Sequence, residues 1–138
     1  SEEEPLPLDS ISFAILSPGI SLRHPLVQTV LSLGIEVIGE VEFALRHLRN
    51  RCVGITGTNG KTTTTLLTAH LLQSSGLAAR AVGNVGVPLS SYLSEAKEDE
   101  ILVLELSSFQ LETMQTRSLM GAVILNITPD HLDRYDSM

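Results

Sequence analysis

The stretch GITGTNGKTTTT, residues 54–65, carries three glycines, four consecutive threonines and one of the two lysines in the chain. It continues the β-rich apolar run RCVGIT (51–56) and leads into a segment whose apolar residues recur at spacings of three and four. A strand, a glycine turn and a helix in this order predict backbone N–H groups that turn towards an anion at the helix start. Such a loop is typical of phosphate binding.

We interpret this turn as a phosphate-binding loop. It comprises Gly57, Thr58, Asn59, Gly60, Lys61, Thr62 and Thr63. Lys61 would reach the outer phosphates, and the Thr62 hydroxyl would bind Mg²⁺. The loop departs from the usual pattern, because Ile55 stands where a glycine is expected six residues before the lysine. The alternative is a glycine-rich turn before a threonine-capped helix.

Apolar β-rich runs and helical patterns alternate along the chain. Strands are predicted over 11–16, 35–39, 51–56, 79–84, 100–106 and 121–127, and helices over 25–33, 40–48, 61–75 and 88–97. This alternation predicts an α/β fold with a mostly parallel sheet flanked by helices. A boundary is predicted near residues 49–51, so that 1–49 and 50–138 belong to two units. Both units look incomplete, and we therefore expect the chain to be a fragment.

The composition indicates a folded, acidic protein with 43% hydrophobic residues and a formal net charge of −7. The only basic cluster is Arg46, Arg49 and Arg51, which argues against a nucleic-acid partner. Cys52 is the only cysteine, and no apolar run approaches the roughly 18–20 residues that span a membrane. The start of the chain is acidic, unlike a signal peptide. We expect a cytoplasmic protein with no membrane partner.

Polar residues follow three of the other predicted strands. Glu105 lies near the end of the run EILVLEL (100–106), Asn84 lies in the turn GNVGVP, and His131 follows Pro129 in NITPDHLDRY. Carboxyl ends of parallel strands face the ligand crevice, so Glu105 is a candidate Mg²⁺ ligand. The alternatives are a strand-end glutamate that meets solvent, a simple turn at Asn84 and a structural histidine.

Taken together, GITGTNGKTT, GNVGVP, ELSSFQLE and NITPDHLDRY resemble the Mur ligases, the ATP-dependent amide ligases of peptidoglycan synthesis. ELSSFQLE and LSPGI…HPLVQ (16–28) are similar to the members that add D-glutamate to UDP-N-acetylmuramoyl-L-alanine. The resemblance implies that ATP and Mg²⁺ are used to form an acyl phosphate on the muramoyl substrate, which the amine of D-glutamate then attacks. The intact protein is expected to be a monomer.

The same resemblance implies the domains. Residues 1–49 would end a Rossmann-like domain that binds the UDP substrate, and 50–138 would begin a P-loop NTPase-like central domain that binds ATP. The C-terminal domain, which binds D-glutamate, and the modified lysine of the family have no counterpart in the sequence. We therefore expect this chain alone to be inactive.

Carried over by position, the resemblance implies site residues of three kinds. The catalytic residues are Lys61, Glu105 and His131. The metal ligands are Thr62, Glu105 and His131. The residues that contact the muramoyl substrate are Ser17, Pro18, Gly19, Asn84 and Ser107.

Other functions remain open on the sequence alone. A folylpolyglutamate synthase-like ligase would share the loop and the chemistry, although the SPGI and SSFQL segments speak against it. A small-molecule kinase would share only the loop. By itself, the chain could also be a nucleotide-binding segment without catalysis.

Overall fold

The computed structural model describes residues 10–116 and 119–129. Strands and helices alternate through most of this range. The strands are β1 (Phe13–Leu16), β2 (Glu36–Gly39), β3 (Cys52–Thr56), β4 (Ala79–Gly83), β5 (Ile101–Glu105) and β6 (Leu119–Ile124). The helices are α1 (Pro25–Ser32), α2 (Glu40–His47), α3 (Lys61–Ser74), α4 (Leu89–Tyr92) and α5 (Ser108–Glu112). None of these helices is long and apolar enough to cross a membrane.

The strands form two parallel sheets. β1 pairs with β2, and the larger sheet has the order β4-β5-β3-β6. β5 and β3 are therefore its central strands, and every residue of β5 is buried. Parallel strands joined through helices confirm the predicted α/β class. In this sheet the carboxyl ends of β3, β4 and β5 align, because Glu105 is in register with both Ile55 and Gly83.

Helices cover both faces of the larger sheet. On one face, Ala69 of α3 packs with Ile55 and Val103. On the other face, α2 and α4 pack against the opposite side of β5, in a cluster that includes Val41, Ala44, Leu45, Leu89, Tyr92, Leu102 and Leu104. Each fully buried leucine in such a cluster stabilises the fold by roughly 1.5–3 kcal/mol. The core of the larger sheet thus includes a helix that precedes the boundary predicted near 49–51.

A buried carboxylate connects α2 to the segment that follows α5. Glu42 is 2% exposed and accepts hydrogen bonds from the backbone N–H groups of Gln115 and Thr116 at 2.9 and 2.8 Å. It also accepts from the Thr116 hydroxyl and from Nε of Arg46. The three contacts from Gln115 and Thr116 join α2 to the segment after α5, whereas the Arg46 contact lies within α2. Hydrogen bonds as well as packing therefore fix the position of α2.

The structure differs from the predicted elements in three places. The helix predicted over 88–97 is shorter: α4 ends at Tyr92, and a 3₁₀ turn occupies Leu93–Glu95. The chain then turns back, because the Tyr92 hydroxyl accepts the Lys97 N–H and donates to Glu100. α5 was not predicted, and β6 lies at Leu119–Ile124 rather than 121–127, in register with β3.

Candidate functional site

The glycine loop joins β3 to the start of α3. Gly57 and Gly60 adopt φ values of 139° and 84°, a region that residues with a side chain rarely occupy. Gly60 is the N-cap of α3 and has no side-chain cap. In the described part of the chain, the backbone N–H groups of residues 60–63 have no hydrogen-bond partner. Four free amides at the positive end of a helix form an anion-binding geometry.

Lys61 lies against its own loop. Its Nζ donates hydrogen bonds to the carbonyl oxygens of Gly57 and Thr58 at 2.7 and 2.9 Å. The ammonium is therefore held on the loop that precedes the free amides of residues 60–63. Cation and amides together offer an anion both charge and directed donors.

Glu105 lies at the carboxyl end of β5, beside the loop. It is 2% exposed, and its two carboxylate oxygens accept hydrogen bonds from the Thr62 hydroxyl at 2.8 Å and from Nδ2 of Asn84 at 2.9 Å. Both donors are neutral, and within residues 10–116 and 119–129 no cationic side chain pairs with this carboxylate. A buried carboxylate with only neutral partners is suited to receive a cation.

The turn after β4 is built to approach β5 closely. Gly83 has a φ of 101°, and a Cβ atom at this position would lie 2.6 Å from the backbone oxygen of Glu105. The backbone N–H of Asn84 donates to that same oxygen at 3.0 Å. Asn84 is thus bonded to Glu105 by both its backbone and its side chain.

The oxygen donors at this edge fit Mg²⁺. Mg²⁺ is bound in proteins by one or two oxygen side chains together with substrate phosphates and water. Thr62 and Glu105 supply a hydroxyl and a carboxylate that are already in contact. A group of three or more His, Cys, Asp or Glu side chains that could hold a metal does not occur among the described residues. His131, the third predicted ligand, lies outside the described residues.

The end of β6 contacts the loop through a residue that the sequence analysis did not single out. Asn126 accepts the Thr58 N–H with its backbone oxygen and the Asn59 N–H with Oδ1, at 3.1 and 2.9 Å. Its Nδ2 donates to the Asn59 carbonyl at 2.9 Å. The sequence signal was weak: an asparagine near the end of the predicted strand 121–127, inside the quoted motif NITPDHLDRY.

The predicted substrate residues lie in two places. Asn84 is beside Glu105, whereas Ser107 is the N-cap of α5 and forms a capping box with Gln110. Ser17 and Pro18, in the loop after β1, line a small crevice together with Gln110 and Phe109 of α5. Gly19 follows in this exposed loop, with no atom within 4 Å of the position of a Cβ. The loop after β1 and the helix that follows β5 therefore face each other.

Comparisons with known proteins identify relatives for almost the whole chain. The sequence model of the family described as Mur ligase middle domain matches residues 55–138. A UDP-N-acetylmuramoylalanine–D-glutamate ligase from Protochlamydia amoebophila (strain UWE25) is 49% identical over 135 residues, which are 98% of this chain and 30% of the relative. The ligase of the same name from Cytophaga hutchinsonii is 49% identical over 138 residues, 99% of this chain and 30% of the relative.

A solved structure agrees with the fold. The UDP-N-acetylmuramate:L-alanyl-gamma-D-glutamyl-meso-diaminopimelate ligase from Neisseria meningitides aligns with a TM-score of 0.53 at 22% identity, covering 90% of this chain and 44% of that chain. At this identity the likeness concerns the fold alone. The chain spans about 30% of the length of the two curated relatives. With a family match over more than half of its residues, the chain belongs to the Mur ligase family.

Proposed function

We propose that the chain is part of an ATP-dependent ligase that adds D-glutamate to UDP-N-acetylmuramoyl-L-alanine in the cytoplasm. The relatives that are 43–49% identical over nearly the whole chain carry the name UDP-N-acetylmuramoylalanine–D-glutamate ligase. Within such a ligase, residues 1–49 would end the domain that binds the UDP substrate and 50–138 would begin the ATP-binding domain. D-glutamate would be selected elsewhere in the protein.

One observation carries the proposal. The Thr62 hydroxyl, the Glu105 carboxylate and the Asn84 amide form a continuous hydrogen-bonded row beside the free amides of residues 60–63. Amides suited to bind a phosphate and a carboxylate suited to bind a cation thus lie at one edge of the sheet. A substrate held at Asn84 would meet the phosphates of ATP at this edge, where ligands of open α/β sheets bind.

The proposed reaction has two steps. The carboxylate of UDP-N-acetylmuramoyl-L-alanine attacks the γ-phosphorus of ATP, the bond to the bridging oxygen breaks, and ADP leaves. The amine of D-glutamate then attacks the acyl phosphate, loses a proton and expels inorganic phosphate. Because the covalent chemistry is simple, the protein contributes mainly by positioning the reactants and neutralising charge.

Different residues of the chain would bind the phosphates and the metal. The loop Gly57–Thr63 would hold the phosphates, with Lys61 leaving the loop carbonyls to contact the outer phosphates. Thr62 and Glu105 would hold Mg²⁺, which when bound neutralises charge on the phosphate oxygens. His131 would serve a second metal site.

The muramoyl substrate would lie along Asn84 and Ser107 and reach the loop Ser17–Gly19. The crevice supports this path, since Ser17 and Pro18 line it together with Gln110, which is hydrogen-bonded to Ser107. The Ser107 hydroxyl is engaged with Gln110. A substrate group that takes this hydroxyl would therefore replace part of the capping box.

A chimaera tests the proposed function. Residues 10–129 would replace the matching segment of the Protochlamydia ligase, and phosphate release would be measured with Mg-ATP and UDP-N-acetylmuramoyl-L-alanine, with and without D-glutamate. We expect release that depends on D-glutamate. A folded chimaera that binds ATP but releases no phosphate would contradict the proposal.

A second candidate is a nucleotide-binding segment that has no turnover by itself. The observation in its favour is the 30% share of the relatives' length that the chain covers. The same assay on the 138-residue chain, together with calorimetric titration with Mg-ADP, tests this candidate. Binding without phosphate release would support this candidate, whereas release that depends on D-glutamate would exclude it.

A further inference from the structure

We propose that Asn126 is a positioning residue that holds the phosphate loop in its binding conformation before any nucleotide arrives. This inference rests on the proposed function, because it concerns how the loop binds phosphate. It assigns a role to a residue that neither the loop motif nor the proposed reaction includes.

The side chain of Asn126 forms two hydrogen bonds with the backbone of a single residue, Asn59. Oδ1 accepts the N–H of Asn59 at 2.9 Å, while Nδ2 donates to the carbonyl of the same residue at 2.9 Å. The backbone oxygen of Asn126 accepts the N–H of Thr58 at 3.1 Å. Asn126 thus pairs with the backbone of the loop in the way that a residue of a neighbouring strand would.

Two neighbouring contacts extend this attachment. The Thr58 hydroxyl donates to the carbonyl of Thr128 at 3.1 Å and accepts the Thr128 N–H at 3.0 Å. At Gly57, a Cβ atom would lie 3.1 Å from both the backbone nitrogen and the backbone oxygen of Asn126. The loop therefore packs directly on the end of β6, and the glycine permits this approach.

This attachment divides the backbone N–H groups of the loop into two sets. The N–H groups of Thr58 and Asn59 are used by Asn126, whereas those of residues 60–63 have no partner among the described residues. A phosphate would therefore meet the second group. Fixing the first group in advance lowers the conformational entropy that binding must remove, so affinity should depend on Asn126 although it does not face the phosphate.

The chemistry of the contact requires both a donor and an acceptor on one short side chain. Alanine at 126 provides neither, and aspartate provides only the acceptor. Aspartate would keep the bond to the Asn59 N–H, but its carboxylate would face the Asn59 carbonyl and bring a negative charge near the phosphates. The two variants thus separate loop attachment from charge.

The experiment compares Asn126→Ala and Asn126→Asp with the unaltered chain. Affinity for Mg-ADP is measured by calorimetry, and exchange of the Asn59 amide proton is measured by NMR without nucleotide. A matched control is Asn50→Ala, which removes an asparagine side chain that donates to the carbonyls of Lys97 and Glu100. Asn50 precedes β3 and therefore lies at the opposite end of that strand from the loop.

We expect Asn126→Ala to weaken Mg-ADP binding by roughly tenfold, the loss of one to two hydrogen bonds, and to speed Asn59 exchange by a similar factor. Asn126→Asp should keep the Asn59 amide protected yet weaken binding at least as much. Asn50→Ala should lower the melting temperature and leave the affinity unchanged.

Two outcomes would overturn the inference. One is unchanged Asn59 exchange in Asn126→Ala, which needs no nucleotide and so decides the matter even if the proposed function fails. The other is an affinity loss in Asn126→Ala no larger than in Asn50→Ala. Absence of Mg-ADP binding to the unaltered chain would instead contradict the proposed function.

Discussion

The hydroxyl of Thr62 donates a 2.8 Å hydrogen bond to the carboxylate of Glu105, although 43 residues separate them in the sequence. The contact is a consequence of sheet order. β3 and β5 are neighbouring parallel strands, and the register that pairs Ile55 with Glu105 brings the start of α3 to the end of β5. Backbone pairing of β3 with β5, together with the glycine loop that joins β3 to α3, thereby holds the two oxygen groups together.

Glu105→Gln should abolish most of the Mg²⁺ dependence of nucleotide binding. The amide keeps the shape and size of the side chain but removes the charge that attracts the cation. We expect the gain in ADP affinity on adding Mg²⁺ to fall by about tenfold or more, as measured by calorimetry with and without the metal. The control is Glu98→Gln, at an exposed position. An unchanged effect of Mg²⁺ on ADP affinity would contradict the proposal that Glu105 binds the metal.

Lys61→Ala should remove most of the nucleotide affinity without unfolding the chain. The lost interaction is a charge-assisted contact with phosphate, so we expect a decrease of roughly 10- to 100-fold in Mg-ADP affinity. Lys97→Ala is the matched control, because Lys97 is the only other lysine and is exposed. Circular dichroism would verify that both variants fold. Equal affinities in the two variants would argue against the phosphate-loop assignment.

Glu42→Gln should destabilise the chain in a pH-dependent way. Burial alone would raise the pKa of Glu42, but hydrogen bonds from Arg46, Thr116 and Gln115 outweigh it and hold the pKa below its ordinary value of 4.5. A lowered pKa stabilises the folded state above about pH 4.5, and this contribution is lost as the pH falls through the folded-state value.

Urea unfolding of the two proteins between pH 7 and pH 3 measures this contribution. At pH 7 we expect Glu42→Gln to lower the free energy of unfolding by about 1–3 kcal/mol. The difference should narrow as the pH falls below about 4.5, the ordinary value for this carboxyl group. A difference that stays constant to pH 3 would show that the charge of Glu42 does not contribute.

Gly83→Ala should lower the free energy of unfolding far more than Gly121→Ala. At position 83 the new methyl group would lie 2.6 Å from the Glu105 backbone oxygen, on a residue with a φ of 101°. We expect a loss of about 2 kcal/mol or more in unfolding free energy. A Cβ at position 121 meets nothing within 4 Å, so this variant should be neutral or stabilised by up to about 1 kcal/mol. Similar melting temperatures would contradict the close approach of β4 and β5.

Much of the fold followed from local sequence signals. The helix α3 begins at Lys61, as the glycine loop and the spacing of its leucines predicted, and the parallel sheet followed from the alternation of strands and helices. The position of Glu105 at a strand end could also be predicted, because four consecutive apolar residues precede it. These features depend on residues that are close in sequence.

What could not be predicted depends on distant pairs. The contact of Asn126 with Asn59 exists only because β6 pairs with β3. The hydrophobic pattern of the sequence does not indicate which strands are neighbours. The side-chain bond from Asn84 to Glu105 likewise depends on β4 lying beside β5. The helix α5 is too short for a periodic signal, and its start is fixed by the local capping box of Ser107.

The packing of α2 has a consequence for how such proteins can recombine. Val41, Ala44 and Leu45 belong to the same buried cluster as Leu102 and Leu104, so the core of the larger sheet is shared across the polar turn at 49–51. A crossover at that turn would join one parent's α2 to another parent's β5. Exchange between diverged relatives should therefore succeed only where the donor supplies α2 together with the larger sheet, so the exchanged segment must begin before that turn.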